Sequence, residues 1–165
     1  MKKGSGIKAA GKGIKVVCRN PSAFRDYIIE DKLEAGIVLT GSEVKSLREG
    51  GSSLKDAYVS VESGEAWLIN SHIAPYRSAS VFNHEPRRRR KLLLHKKQIE
   101  RLSGRLSCEG MTAVPLQMYF SEGKAKVELA LAKGRKHDDK RELIRSREQR
   151  RELRGIAGNV KSGKI

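Results

Sequence analysis

The sequence predicts a mainly β protein: a small closed or partly open β-barrel with flanking α-helices and a basic C-terminal tail. Two stretches, residues 54–73 and 111–133, are rich in β-branched and aromatic residues and are each divided by a short turn signal. In the second, Val127, Leu129 and Leu131 alternate with other residues, the period of two that is typical of a half-buried strand. Several short strands of this kind favour a barrel.

Each of the two stretches is predicted to form a hairpin, with turns at residues 63–64 and 122–123. Pro115 predicts that its strand lies at a sheet edge or carries a bulge, because proline cannot donate a ladder hydrogen bond. Two further short strands are predicted at residues 13–18 and 34–39.

Helices are predicted between the strands. One lies within residues 40–51, with Ser42 as N-cap. A longer one covers residues 86–104, with Pro86 in its first turn, and residues 20–31 contain a possible short helical turn. The apolar stripe of the longer helix consists of Leu92, Ile99, Leu102 and Leu106.

The charge of the chain is large and clustered. The formal net charge is +16, and the Lys and Arg residues concentrate in three segments: 1–19, 87–101 and 133–165. The rest of the chain is slightly acidic, so a polyanionic partner is expected, nucleic acid before an anionic membrane. The four arginines 87–90 begin the predicted helix, where the helix dipole disfavours cations, which also indicates an anion outside the protein. Only 5% of residues are aromatic, which favours structured RNA over a single strand bound by stacking.

Several other classes of protein are not indicated. No segment approaches the roughly 18 apolar residues of a membrane span and no secretory signal is present, so a cytoplasmic chain without membrane association is expected. Cys18 and Cys108 lack metal-ligand spacing and are expected to be reduced thiols. The adjacent Asp138 and Asp139 could hold a metal, but flanking cations favour a helix cap. No catalytic or cofactor-binding motif is recognisable, although that absence alone does not exclude an enzyme.

Six segments carry a resemblance to a known family, and they occur in the same order along this chain. They are "EAGIVLTGSEVKSLREG", "LKDAYV", "RKLLLHKKQIERL", "VPLQMYF", "KVELALAKG" and "DKR". With them, residues 13–141 closely resemble the SsrA-binding protein family, also called small protein B. Beyond residue 141 the chain resembles that family in the general type of its residues rather than residue by residue.

The resemblance implies an oligonucleotide-binding-type barrel over residues 13–133 that binds the tRNA-like domain of transfer-messenger RNA (tmRNA, or SsrA RNA). The complex enters stalled ribosomes for trans-translation, and elongation factor Tu takes part indirectly through the charged tmRNA. The resemblance implies that the protein itself is not an enzyme and has no cofactor. The tail, residues 134–165, is implied to enter the vacant decoding centre and mRNA channel. Residues 1–12 are expected to form a flexible basic arm.

The resemblance also implies site residues. Glu34, Leu93 and His95 match family positions implicated in RNA binding, although Leu93 could instead pack in the core and Glu34 could be a solvated strand end. Arg25 stands where the family often has a histidine and could stack on a base through its guanidinium plane. Four cations are expected to contact phosphates, or else to lie on solvated helix faces: Lys45, Arg48, Arg90 and Lys91.

The tail is implied to contact the ribosome. As a helix starting near Asp138 it would have like charges at every charged i, i+4 pair and no apolar stripe. We therefore predict that it is disordered in the free protein and helical on ribosomal RNA. Asp138 stands where the family has His or Tyr, and Pro21-Ser22 replace two basic residues. The expected contacts are Lys133, Arg135, Lys136, His137, Lys140, Arg141, Arg145 and Arg147.

Two other functions stay open on the sequence alone. A structural ribosomal protein would share the small barrel and basic tails, but it would not select tmRNA. An RNA-processing enzyme would need acid, base or metal-binding groups that converge in the fold.

Overall fold

The structure is a computed structural model that describes residues 13–79 and 82–161. Its strands are β1 (Ile14–Arg19), β2 (Tyr27–Ile37), β3 (Ser52–Ser53), β4 (Tyr58–Glu62), β5 (Glu65–Ile69), β6 (His72–Ile73), β7 (Arg90–Leu93), β8 (Met111–Ser121) and β9 (Lys124–Gly134). Its helices are α1 (Pro21–Asp26), α2 (Gly41–Arg48), α3 (Lys96–Leu106) and α4 (His137–Lys161). The predicted N-terminal arm, residues 1–12, lies outside the described residues, as do the last four residues of the tail.

Seven strands form one antiparallel sheet in the order β1-β8-β9-β2-β7-β5-β4. The sheet curls around the core, since β4 at one end of this order packs against β8 near the other. Strands β3 and β6 form a small second sheet. The mainly β fold class with flanking helices is therefore confirmed. The interior contains, among others, Leu47, Leu54, Leu68, Ile73, Leu92, Leu102, Met118, Val127, Leu129 and Leu131.

Both predicted hairpins are present. Residues 63 and 64 of the β4–β5 turn have φ values of 50° and 74°, and residues 122 and 123 of the β8–β9 turn have 52° and 75°. Two successive positive φ values are what a type I′ turn requires, and glycine at the second position adopts one at little cost. The ladder of β8 shifts register between Pro115 and Gln117, so of the two predicted alternatives the bulge is correct.

The predicted N-cap of helix α2 is wrong. Helix α2 is capped by Thr40 rather than Ser42: the Thr40 N–H donates to Glu43 Oε2 at 2.8 Å. Ser42 instead shares a hydrogen bond with His84 Nδ1 at 2.9 Å.

The predicted helix 86–104 begins ten residues late, at Lys96, and its first part is strand β7. That strand lies between β2 and β5 with Leu92 directed into the core. Pairing on both sides determined its conformation, which helical periodicity could not reveal.

The tail forms helix α4, which starts one residue from the predicted position. Its described contact with the body is near its beginning, where Lys140 Nζ lies 3.8 Å from a carboxylate oxygen of Asp26, the last residue of α1. Ile144 and Leu153 are 41% and 66% exposed, in agreement with a helix that has no docking face. The disorder of the free tail stays a prediction. Within residues 13–79 and 82–161, none of the helices combines enough length with enough hydrophobicity to span a bilayer.

Candidate RNA-binding site

An open cleft of about 660 Å³ lies where β2 and β7 meet the start of α3. Four of the predicted RNA-binding residues line it: Glu34 from β2, Lys91 and Leu93 from β7, and His95, which precedes α3. The structure thus brings together side chains that are about 60 residues apart in sequence. Gly64, Glu65, Leu92, Leu94, Gln98 and Ile99 complete the lining.

Glu34 holds a carboxylate at one side of the cleft. Its Oε1 accepts a hydrogen bond from Lys126 Nζ at 2.7 Å, and its Oε2 accepts one from the Tyr119 hydroxyl. These bonds, from Lys126 first and then Tyr119, hold the pKa of the Glu34 carboxyl below its ordinary value. The side chain remains 52% exposed. Glu34 is therefore an ionised, partly restrained hydrogen-bond acceptor that a ligand in the cleft can reach.

Leu93 presents an apolar surface next to this carboxylate. It is 56% exposed, whereas its neighbour Leu92 is 1% exposed, so Leu92 and not Leu93 packs in the core. Leu93 pairs in register with Gly36 of β2, and a Cβ at Gly36 would lie 3.2 Å from the Leu93 Cβ. Because Gly36 has no side chain, the Leu93 side chain can lie against the backbone of β2 at this position.

A cation and an imidazole ring also line the cleft. Lys91 Nζ pairs with the Glu65 carboxylate, and both side chains are roughly two-fifths exposed. His95 is exposed at the N-cap of α3, where its backbone N–H donates to Gln98 Oε1 at 2.9 Å. The cleft therefore combines an acceptor, an apolar surface, a cation and an imidazole ring within one concave surface.

One predicted phosphate contact is wrong. Arg90 is fully buried, and its guanidinium donates to Glu43 Oε1 at 2.9 Å and to the Ser71 carbonyl oxygen at 2.7 Å. Since every hydrogen-bonding direction is taken up inside the protein, Arg90 cannot reach RNA in this fold.

The inference that the run of arginines 87–90 faces an external anion started from a helix N-terminus, which the structure does not have there. For the exposed Arg87 and Arg89 it stays a prediction. Arg88 donates to both oxygens of the buried Glu43 carboxylate, at 2.7 and 2.6 Å. Arg89 pairs with Glu62 at 3.0 Å, and its Cζ lies 4.3 Å from the centroid of the Trp67 ring. Arg87 donates to Asn70 at 2.6 Å. All four arginines therefore have partners within the protein.

Three other predicted residues lie outside the cleft. Lys45 and Arg48 are on α2, where Lys45 Nζ is 5.5 Å from the Tyr76 ring centroid and Arg48 Cζ is 5.8 Å from that of Phe120. Arg25, on α1, pairs with Asp26 at 3.1 Å and is half exposed. Their roles in binding RNA stay predictions.

Comparison with known proteins adds a second line of observation. The model of the family described as "SmpB protein" matches residues 17–159 of this chain. The chain belongs to the SmpB family. An SsrA-binding protein from Sulfurihydrogenibium sp. (strain YO3AOP1) is 56% identical over 148 residues, which cover 89% of this chain and 97% of that one. One from Fervidobacterium nodosum is 50% identical over 142 residues, covering 86% and 95%.

A solved structure confirms the fold of this SmpB-family chain. The structure described as "tmRNA-SmpB: a journey to the center of the bacterial ribosome" is 47% identical and superposes with a TM-score of 0.64. The similarity covers 77% of this chain and 93% of that chain. The family resemblance inferred from the six sequence segments is thus confirmed.

The predicted tail residues of this SmpB-family chain do not line the cleft. Lys133 ends β9 as an exposed side chain, and Arg135 joins β9 to α4, its backbone N–H donating to the Asp26 carbonyl oxygen at 2.9 Å. His137 is the first residue of α4. The remaining predicted contacts, Lys136, Lys140, Arg141, Arg145 and Arg147, are exposed or partly exposed.

Sequence reasoning missed the polar partners that hold the site residues of this SmpB-family chain. Tyr119 and Lys126 lie opposite each other across the β8–β9 hairpin. Counting back from the two-residue turn would have paired them. Their contact with Glu34 depends on the pairing of β2 with β9, which joins strands about 90 residues apart and leaves no local signal.

Replacing Gly36 by alanine tests the importance of Leu93 without removing it. The new Cβ would lie tighter against Leu93 than side chains normally do, so Leu93 has to move. We expect RNA binding to weaken about three- to tenfold, with a loss of stability of about 1 kcal/mol or less. Filter binding and urea denaturation measure the two effects, and Gly104→Ala, where a Cβ meets nothing, is the control. Unchanged binding by Gly36→Ala would contradict the role given to Leu93.

Proposed function

We propose that this chain binds the tRNA-like domain of tmRNA and delivers it to stalled ribosomes for trans-translation, so that incomplete proteins are tagged for degradation. The observation that carries the proposal is the cleft of Glu34, Lys91, Leu93 and His95 in a chain of the SmpB family. An acceptor, an apolar surface and a cation placed together suit structured RNA, in which unpaired bases and the backbone are both accessible. Because ribosomes act in the cytoplasm, the proposed function also places the chain there.

The tail has a separate task in this proposal. Helix α4 has 25 residues and a length of about 37 Å at 1.5 Å per residue. Its described side chains carry many cations and pack against little of the body. We infer that it enters the vacant decoding centre and mRNA channel, where rRNA phosphates neutralise its arginines. Elongation factor Tu would act indirectly, through the charged tmRNA.

The protein contributes no catalysis or cofactor in this proposal. Its cleft offers hydrogen-bonding and apolar groups for binding, and the chemistry of translation belongs to the ribosome. A structural ribosomal protein, the alternative left open by the sequence, would bind ribosomes in the absence of tmRNA. Sedimentation of the purified chain with ribosomes, with and without tmRNA, separates these two functions.

Removing the tail is expected to separate RNA binding from ribosome rescue. A chain ending at Gly134 retains the cleft and should bind the tRNA-like domain within about twofold of the full chain, but tagging of a stalled nascent chain should fall by at least about tenfold. Gel shift and a reconstituted tagging assay measure the two activities. Tagging at the normal level would contradict the role given to the tail.

The conformation of the tail in solution is tested by circular dichroism of the full chain and the shortened one. If the tail is disordered until it meets RNA, the two spectra differ by little helix, and a structured RNA fragment increases helix only in the full chain. A difference of about 25 helical residues before RNA is added would contradict disorder in the free protein.

A further inference from the structure

Three side chains on adjacent strands form a hydrogen-bonded group, the Glu34 trio: Glu34 of β2, Tyr119 of β8 and Lys126 of β9. Tyr119 is the register partner of Lys126, and Lys126 is the register partner of Gly36, two residues from Glu34. Tyr119 is only 6% exposed, whereas Lys126 and Glu34 have side chains 32% and 52% exposed. The hydroxyl of Tyr119 is therefore fixed by the packed sheet, and the carboxylate that it meets extends into the cleft.

We propose that Tyr119 is a positioning residue that fixes the Glu34 carboxylate as an acceptor for N–H or O–H groups of the bound RNA. The Glu34 carboxylate would accept hydrogen bonds from amino and imino groups of the bases or from ribose hydroxyls. This side of the cleft would then select RNA by its donors, while cations elsewhere contact phosphates. The inference rests on the proposed function and concerns how the same cleft achieves selectivity.

The geometry leaves room for such a ligand. A carboxylate has about four acceptor positions, and Tyr119 and Lys126 each use one, on different oxygens. The remaining positions can accept from RNA. A phosphate would meet repulsion from the carboxylate at the same place, so an ionised Glu34 discriminates between donor groups and anions.

Restraint of the carboxylate contributes to binding in two ways. An acceptor that is already held by two hydrogen bonds loses less freedom when a ligand binds. The same bonds keep the carboxyl group ionised, in agreement with the lowered pKa of Glu34. Burial, and then the hydrogen bond to Glu34, raise the pKa of Tyr119, so its hydroxyl remains a donor.

A similar group on the same face lies outside the cleft and provides a comparison. Glu128 accepts from Gln117 Nε2 at 2.9 Å and lies 3.6 Å from Lys32 Nζ. Glu128 is 26% exposed on its side chain and does not line the cleft. Both groups thus contain a carboxylate that is held by hydrogen bonds, but only the carboxylate of Glu34 can be reached by a ligand in the cleft.

The test uses the full chain, the tRNA-like domain of tmRNA as probe and ordinary tRNA as competitor. Tyr119→Phe removes only the hydroxyl, and selective binding should weaken about three- to tenfold, as for the loss of one hydrogen bond. The dependence of binding on salt should stay the same, because no phosphate contact is lost. Acid should abolish selective binding at a higher pH in Tyr119→Phe than in the parent. Tyr58→Phe, at a tyrosine that does not line the cleft, should change none of these values.

A double-mutant cycle distinguishes positioning from general stabilisation. Glu34→Gln should also lose selectivity, and adding Tyr119→Phe to it should change binding by less than about twofold. Lys126→Met removes the partner of the other oxygen and leaves Tyr119 in place, so selectivity should fall in this variant even if Tyr119→Phe folds poorly.

Three results would overturn the inference. In the first, Tyr119→Phe retains full selectivity while Glu34→Gln loses it, which leaves the proposed function intact. In the second, the Tyr119→Phe loss persists undiminished in the Glu34→Gln background, which shows a purely structural role. In the third, the parent itself shows no preference for the tRNA-like domain, which overturns the proposed function as well.

Discussion

Replacing Glu43 by alanine is expected to lower the free energy of unfolding by about 3–5 kcal/mol. Glu43 is fully buried and accepts hydrogen bonds from the Thr40 N–H, Arg88 and Arg90. Removing the carboxylate leaves the Arg90 charge buried and uncompensated, and it also removes the ionic connection between α2 and β7. Urea denaturation followed by tryptophan fluorescence measures the loss.

The matched control is Glu62→Ala. Glu62 also pairs with an arginine from the same run, but Glu62 and Arg89 are each about half exposed, so the loss should be about 1 kcal/mol or less. A loss for Glu43→Ala no larger than that of the control would show that the buried network does not stabilise the fold.

The same network should make stability depend on acid pH. Burial alone would raise the pKa of Glu43, but the bonds from Arg88 and Thr40 and the charges of Arg90 and Arg88 outweigh it and hold the pKa below the ordinary 4.5. A group whose pKa is lower in the folded state contributes its full stability above the unfolded pKa, and the contribution disappears as pH falls through the folded pKa. Glu43→Gln should therefore flatten the loss of stability below about pH 4.5. If Glu43→Gln lost stability in acid as steeply as the parent, Glu43 would not be the group responsible for the acid dependence.

Reversing the charge at Glu34, with Glu34→Lys, is expected to weaken selective RNA binding by at least about tenfold, although the net charge of the chain becomes more positive. The change removes an acceptor and places a second cation next to Lys126. Hydrogen bonds to charged groups contribute about 1.5–3 kcal/mol, which corresponds to more than tenfold in affinity. Competition gel shifts give the affinity for the tRNA-like domain relative to ordinary tRNA.

Glu109→Lys is the control with the same change of charge. Glu109 is exposed between α3 and β8 and does not line the cleft. Its reversal should increase non-specific binding slightly and leave the preference for the tRNA-like domain intact. Selectivity that is retained or increased in Glu34→Lys would show that Glu34 reads no part of the RNA.

Local features of the fold could be predicted from the sequence, and features that depend on distant strands could not. The turns at residues 63–64 and 122–123 were predicted correctly because a two-residue turn and its flanking alternation are local. Strand β7 was predicted as helix because Leu92 also fits a helical stripe, and its conformation depends on pairing with β2 and β5. A buried Arg90 could not be anticipated, since its partner Glu43 is 47 residues away.

The candidate site shows the same division. The family resemblance gave Glu34, Leu93 and His95, and the structure brings them into one cleft. Their supporting groups, Tyr119 and Lys126, were missed because they meet Glu34 only through long-range strand pairing. Composition gave a polyanionic partner but could not separate surface cations such as Lys91 from the buried Arg90.

The central claim is that this chain recognises the tRNA-like domain of tmRNA and not RNA in general. Its most direct test is a competition gel shift with the full chain, labelled tRNA-like domain and increasing ordinary tRNA at physiological salt. We expect that displacing half of the labelled RNA needs at least about a tenfold higher concentration of tRNA than of unlabelled tRNA-like domain, a difference of about 1.4 kcal/mol. Equal competition by the two RNAs would contradict the account and leave only a basic protein that binds RNA through its charge.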